Sequence, residues 1–341
     1  MKKKLVIISN DRFYNDKKDF YCDHVAEKTL PDGLSDRFLV TVIGRKTKIK
    51  RFHKLNTSNI ESYKYFISYI FAISKKLFLS ESKFLILSIS PYTFFASLLF
   101  VFSKSKPFVY LRSDGHQEYK SILGFYGPFV YGLMFNIVSK ISIFISCKKY
   151  ILKKKSGFIV SPSELTPKWN SNTTSPKFET IKLLYVGRLK IEKGIFSLLN
   201  LVKKLPEKIT LTIVGESHEA EEKIFQENVN IFPIENDENE LIKHYDNHDI
   251  FILPSFTEGH PMVLLESLAR KRPVIIFDDI EHVIENKKGI FISKRNQSSL
   301  IETIDYIKRN YNQIRHDMEL NQLPTKDSFL NEIKNVIEKI K

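Results

Sequence analysis

The chain has 341 residues, 43% of them hydrophobic and 27% charged, a composition that excludes a disordered or fibrous protein and gives room for two cores. Its two cysteines, Cys22 and Cys147, lie far apart without a Cys-x-x-Cys pair, which argues against a disulfide scaffold or a structural zinc site and suits a reducing cytoplasm. The net charge of +14 is uneven: residues 1–175 hold 29 Lys and Arg against 12 Asp and Glu, whereas residues 176–341 hold 24 against 27, so the halves are expected to face different partners.

The chain begins MKKKLVIISND, a charged start and a short apolar run that Asp11, Arg12 and Asp16 interrupt. It reads as a first buried strand rather than a signal peptide. Apolar runs at 5–9, 38–44, 84–90, 108–113, 141–147 and 157–161 follow as strands, most of them apolar on both faces, the pattern of a parallel sheet covered by helices. Residues 84–102 carry no charge; Pro91 and the hydroxyls of Ser88, Ser90 and Ser97 favour a strand, a turn and a buried helix over 92–103 rather than a membrane span. The aromatic runs 63–71 and 125–135, with the basic run KKYILKKK at 148–155, fit either core or an anionic membrane surface.

The polar stretch 161–180, with three prolines, is the best linker. The strand pattern then restarts at 182–188, 209–215, 229–233, 249–255, 272–277 and 289–293. Two such halves predict two doubly wound α/β domains with a cleft between them: 1–165, a linker over 166–180, and 181–325. A last helix over 326–341 sets Phe329, Ile333, Val336 and Ile340 on one face and must dock.

Ligands of such folds bind at the carboxyl ends of the strands, and three loops stand out there. VGRLKIEKG, 186–194, places Arg188 and Lys193 beside Gly187 and a helix start, a phosphate site by side-chain charge and backbone N–H groups; the alternative is solvated loop charges. FTEGHPMVLLESLARKRPVI, 256–275, has Glu258 at a helix mouth, Pro261 as a natural first helical residue and Glu266 about 8 Å further along the axis. Two acceptors so spaced suit the hydroxyl-bearing ends of a nucleotide-sugar, its diphosphate meeting the exposed N–H groups of Gly259, His260 and Met262 around Pro261. The alternative for Glu266 is an i,i+4 ion pair with Arg270. RSDGHQEY, after the strand at 108–113, offers His116 with Arg112 and Asp114 behind it, or else a plain turn. His244 and His248 are four apart but lack the Glu of a zincin, and Asp278-Asp279 lacks an Asp-x-Asp context. No Gly-x-Ser-x-Gly elbow, P-loop or Gly-x-Gly-x-x-Gly is present, and no nucleic-acid module accounts for the basic half.

GRLKIEKG followed by ILPSFTEGHPMVLLESLARKRPVI resembles the family-4 retaining glycosyltransferases of GT-B fold, with their Gly-Arg...Lys-Gly loop and Glu-x7-Glu motif. The resemblance is strong over 181–295 and weaker upstream. It implies two Rossmann-like domains facing a cleft, with the C-terminal helix crossing back to the first. It also implies that Arg188 and Lys193 bind the donor diphosphate, that Glu258 meets the transferred sugar and Glu266 the ribose, that Gly215 and Glu216 belong to a second donor loop, and that Phe232 and Pro233 lie near the base. His116 is the candidate at the sugar on the acceptor side. The expected activity is metal-independent transfer with retention from a UDP- or GDP-sugar, without cofactor, to a glycan or lipid-linked acceptor, by a cytoplasmic protein peripheral on the inner membrane face. Two departures stand out: ISNDRFYNDKKDF lacks the glycines many members have after the first strand, and Asp278-Asp279-Ile280 replaces later ones, a change that narrows the expected donor pocket. The alternatives are another GT-B activity, such as an epimerase or a small-acceptor transferase, or a binding subunit without catalysis.

Overall fold

Each apolar run read from the sequence becomes a strand, and the strands pair in an order that reverses once per sheet. The computed structural model describes residues 2–57, 59–79, 81–103, 105–215 and 227–340, and the chain divides into two compact units, Met1–Pro162 with Lys326–Lys341, and Ser163–Thr325.

In the first unit β1 (Lys3–Asp16), β2 (Asp19–Cys22), α1 (Val25–Leu34), β3 (Phe38–Thr47), β4 (His53–Lys54), β5 (Ile60–Tyr63), α2 (Phe66–Leu79), β6 (Ser82–Leu87), α3 (Pro91–Leu98), β7 (Phe108–Leu111), α4 (Gly115–Leu123), α5 (Gly127–Ile141), β8 (Ile143–Ser146) and β9 (Gly157–Ile159) follow in order. The parallel strands run β5-β3-β1-β6-β7-β8-β9, so the order reverses between β1 and β6. One face of this sheet packs on α1 and the C-terminal helix through Leu30, Leu34, Phe329 and Ile333. The other packs on α2, α3 and α5 through Tyr69, Ala96, Tyr131 and Phe135.

The glycine-free stretch after the first strand has a structural counterpart. Instead of turning at Ser9, β1 shifts register between Ile8 and Arg12 and runs on into an antiparallel hairpin with β2. A strand needs no glycine where a tight loop would.

The second unit contains β10 (Ile181–Val186), α6 (Ile195–Val202), β11 (Ile209–Val214), β12 (Val229–Phe232), α7 (Glu238–Asp246), β13 (Ile250–Leu253), α8 (Met262–Ala269), β14 (Val274–Phe277), β15 (Ile290–Ser293) and α9 (Gln297–Glu319). The six strands are parallel in the order β12-β11-β10-β13-β14-β15, reversing between β10 and β13. Then α10 (Lys326–Lys339) leaves this unit and joins the first, where Lys334 pairs with Asp36 at 2.8 Å and Lys83 donates to the carbonyls of Ile337 and Ile340.

The stretch expected to link the domains over 166–180 is instead a strap on the second unit. Trp169 and Phe178 are buried in its core. Arg270, itself buried, donates to the carbonyls of Trp169, Ser171 and Asn172, and Arg272 to Thr174. The polar composition that suggested a linker supplies the carbonyls that two buried guanidinium groups require. Residues 84–102 divide as expected into strand and helix, but α3 is not fully buried: Phe95 is half exposed.

Candidate donor and acceptor sites

The reversal between β10 and β13 leaves a crevice at their carboxyl ends, and the two quoted motifs are the loops at its sides. Gly194, at φ +66, ends the first loop, and a Cβ there would lie 1.9 Å from the carbonyl oxygen of Pro254 in the second, so only glycine permits this approach. Across the junction Lys193 Nζ donates to Glu258 Oε1 at 2.6 Å, and Ser255 Oγ donates to the same oxygen at 2.6 Å. The Glu258 side chain is 9% exposed. Arg188 is exposed, and its carbonyl accepts from Tyr185 Oη at 2.8 Å. Gly215, after β11, lies against the carbonyl of Gly187, which brings a third loop to the same end. Glu216 lies outside the described residues.

Pro261 caps α8 rather than opening it: its backbone is extended and the helix begins at Met262. Glu266 is not the partner of Arg270. Its Oε2 accepts from Tyr245 Oη at 2.8 Å, while Arg270 pairs through Nε and Nη2 with Asp246 at 2.9 and 2.7 Å. Burial pushes the Glu266 carboxyl up to about 7, opposed by the Tyr245 hydrogen bond. A neutral tyrosine thus orients the carboxyl without satisfying it as a cation would. Gly259, His260 and Met262 are in the loop and first turn beside it, half-buried or nearly so. At the edge, Phe232 is 44% exposed at the end of β12, its ring 5.3 Å from that of His244. His248 Nδ1 contacts the His244 carbonyl at 2.5 Å, which makes this histidine pair a helix ending.

In the first unit His116 stands in the first turn of α4, whose cap Asp114 accepts from the His116 amide at 3.0 Å. The ring packs edge-on to Tyr131 at 4.8 Å, and burial lowers its pKa, opposed by Asp114. Arg112 does not stand behind it but pairs with the buried Glu27 at 2.7 Å. Asp11 joins this cluster at the β1 to β6 reversal. Its Oδ2 is buried without a hydrogen-bond partner, and burial together with Glu27 raises its carboxyl to about 7.

Residues 168–322 match the family described as glycosyl transferases group 1. That match runs nearly the length of the second unit, Ser163–Thr325. An uncharacterized glycosyltransferase of Haemophilus influenzae is 31% identical over 168 residues, 45% of this chain and 45% of its own. The capsular polysaccharide biosynthesis glycosyltransferase CapM of Staphylococcus aureus is 31% identical over 134 residues, 36% of this chain and 35% of its own. The matched stretch therefore spans less than half of either relative. The whole fold is GT-B: the Anabaena protein Alr3699/HepE, crystallised with UDP, matches with a TM-score of 0.70 at 12% identity, over 99% of this chain and 100% of that one.

Within the matched unit the structure adds two residues that the sequence reading missed. Tyr245 reaches Glu266 from 21 positions away. Arg295 stacks on Phe256 and Phe277 at 4.1 and 4.4 Å, pairs with Asp279 at 2.7 Å and donates to the carbonyls of Pro254 and Ser255. Asp279, read as narrowing the donor pocket, is thus the partner that holds Arg295 under the Glu258 loop. Neither residue has a local signal, because each pairing is made only when strands distant in sequence come together.

Proposed function

We propose that the protein transfers a sugar, with retention and without a metal, from a nucleoside-diphosphate sugar to a hydroxyl of a glycan acceptor carried on lipid at the inner face of the plasma membrane. The observation that carries this reading is the Lys193 to Glu258 contact at 2.6 Å, which sets a cation and a carboxylate from two motif loops at one strand-end crevice. Donor binding exchanges partners there: Lys193 and Arg188 turn to the diphosphate, and Glu258 is released to accept from sugar hydroxyls. Glu266, held by Tyr245, accepts from the ribose.

Cleavage of the bond from anomeric carbon to phosphate oxygen leaves both electrons, and so the negative charge, on the diphosphate. Cations and the amides at the start of α8 stabilise that charge more in the transition state than in the ground state. The acceptor hydroxyl bonds to the anomeric carbon on the face the phosphate leaves, and its proton passes to the departing phosphate. The UDP complex of HepE supports a uridine nucleotide as the first donor to test, and the name of CapM supports a polysaccharide product.

The test is a panel of UDP- and GDP-sugars with EDTA present, read by thermal stabilisation and slow donor hydrolysis. One donor is expected to stabilise the wild type, with Glu266→Ala and Lys193→Ala each weakening it at least tenfold. Stabilisation by no donor at millimolar concentration refutes the reading. Stabilisation without turnover in the presence of acceptor lipids would make the protein a binding subunit.

A further inference from the structure

The first unit carries an exposed apolar feature at α4 and α5. Helix α5 is apolar over most of its surface, with Asn136 and Lys140 its exposed polar residues. Tyr131, Met134, Phe135 and Val138 enter the core, yet on its other side Phe129 is 75%, Leu133 54%, Val130 39% and Ile137 36% exposed. A helix bounded by water has a polar outer stripe. From Tyr119 to Ile141 there is no acidic residue, and Lys120 and Lys140 are the only basic ones. The corner joining α4 to α5 is barer still: Phe125 is 89%, Tyr126 73% and Ile122 72% exposed, and Gly124 at φ +62 faces open space.

Residues Gly115–Ile141 are long and apolar enough in composition to cross a bilayer, but the corner folds α4 back on α5. The Tyr119 ring lies 5.2 Å from Tyr131, and Gly127 abuts the Tyr119 carbonyl. The arms have 9 and 15 residues, about 14 and 22 Å at 1.5 Å per residue, short of the roughly 30 Å of a hydrocarbon core. Such a hairpin enters one leaflet and does not cross.

Charge selects the occupant. The first unit holds 32 Lys and Arg against 14 Asp and Glu. At the hairpin's base Lys153 pairs with Asp114, the cap of α4, at 3.0 Å, and Lys153, Lys154 and Lys155 are exposed. A basic collar thus lies about 14 Å behind an aromatic tip, the depth of a headgroup layer and the upper acyl chains. A second copy on the same face would set one basic collar against another.

We propose that the α4–α5 hairpin inserts its corner into the interface of an anionic bilayer, with Phe125, Tyr126 and Phe129 among the acyl chains and Lys153–Lys155 on the headgroups. This deepens the reading of a lipid-linked acceptor and rests on it only for the choice of membrane face. Its test is sedimentation of the full chain with vesicles of phosphatidylcholine alone or with 30% phosphatidylglycerol. The wild type is expected to bind the anionic vesicles; the double variant Phe125→Ser, Phe129→Ser loses at least tenfold, and Phe125→Trp retains binding. Reversing Lys153, Lys154 and Lys155 to Glu abolishes the preference for anionic lipid. The donor-induced thermal shift of each variant is expected to stay unchanged, which separates failure here from failure of the donor site. The proposal is overturned if the wild type stays in the supernatant or the serine variant sediments equally. It is also overturned if the apolar face instead mediates a dimer that the serine variant dissolves.

Discussion

The Glu266 carboxyl shows how a single residue trades stability for binding. Its pKa rises from 4.5 to about 7 by burial, so between those values the folded chain holds a proton that the unfolded chain has released. Folding stability therefore falls as pH rises through this window. Asp11, raised to about 7, adds the same sign. Glu266→Gln removes one of these contributions while keeping an acceptor for Tyr245. The variant and wild type are expected to melt together near pH 4.5, with the variant the more stable by on the order of 3 kcal/mol at pH 8, while donor affinity falls at least tenfold. Melting curves across pH decide it; a variant less stable at pH 8 would show that Glu266 is satisfied in the free protein. At this scale the motif residues were legible because Arg188, Lys193, Glu258 and Glu266 stand at fixed offsets from strand ends. Their partners were not: nothing local in the sequence says that Arg270 leaves its i−4 neighbour for Asp246, or that Arg112 finds Glu27.

At the scale of elements, the strands were legible because a covered parallel strand needs apolar residues on both faces, and each such run has a strand in the structure. Two other elements were hidden by their composition. The α4–α5 hairpin divides its aromatics between core and surface, so the run at 125–135 is neither reading alone. The strap before β10 looked like a linker because Ser, Thr, Asn and Pro surround its two anchors, Trp169 and Phe178. Trp169 is 3% exposed, its ring 5.5 Å from that of Tyr245, the residue that orients Glu266. Trp169→Ala is expected to cost about 3–5 kcal/mol of second-unit stability and to weaken donor binding through Tyr245. Urea unfolding followed by circular dichroism gives the first, the donor thermal shift the second. A loss under 1 kcal/mol would return the segment to the role of linker.

For the whole molecule, the chain leaves the first unit once and comes back to it. The apolar periodicity of the last helix predicted that it must dock but not where, since its face of Phe329, Ile333, Val336 and Ile340 suits any uncovered sheet. The structure places these side chains on the first sheet with Leu5, Leu30 and Leu34, so that unit is closed by a helix that follows the second unit in sequence. The donor residues, by contrast, all lie within Ser163–Thr325. Ile333, fully buried, tests whether the two cores are independent. Ile333→Asp places a carboxylate in the first core, at a cost of several kcal/mol. Calorimetry is expected to show an early transition displaced downward by 10 °C or more and a later one that the donor still raises. Limited proteolysis should then cut first within residues 1–162. Loss of both transitions together, or of the donor-induced shift, would mean that the two cores unfold as one cooperative system and that the donor site depends on α10.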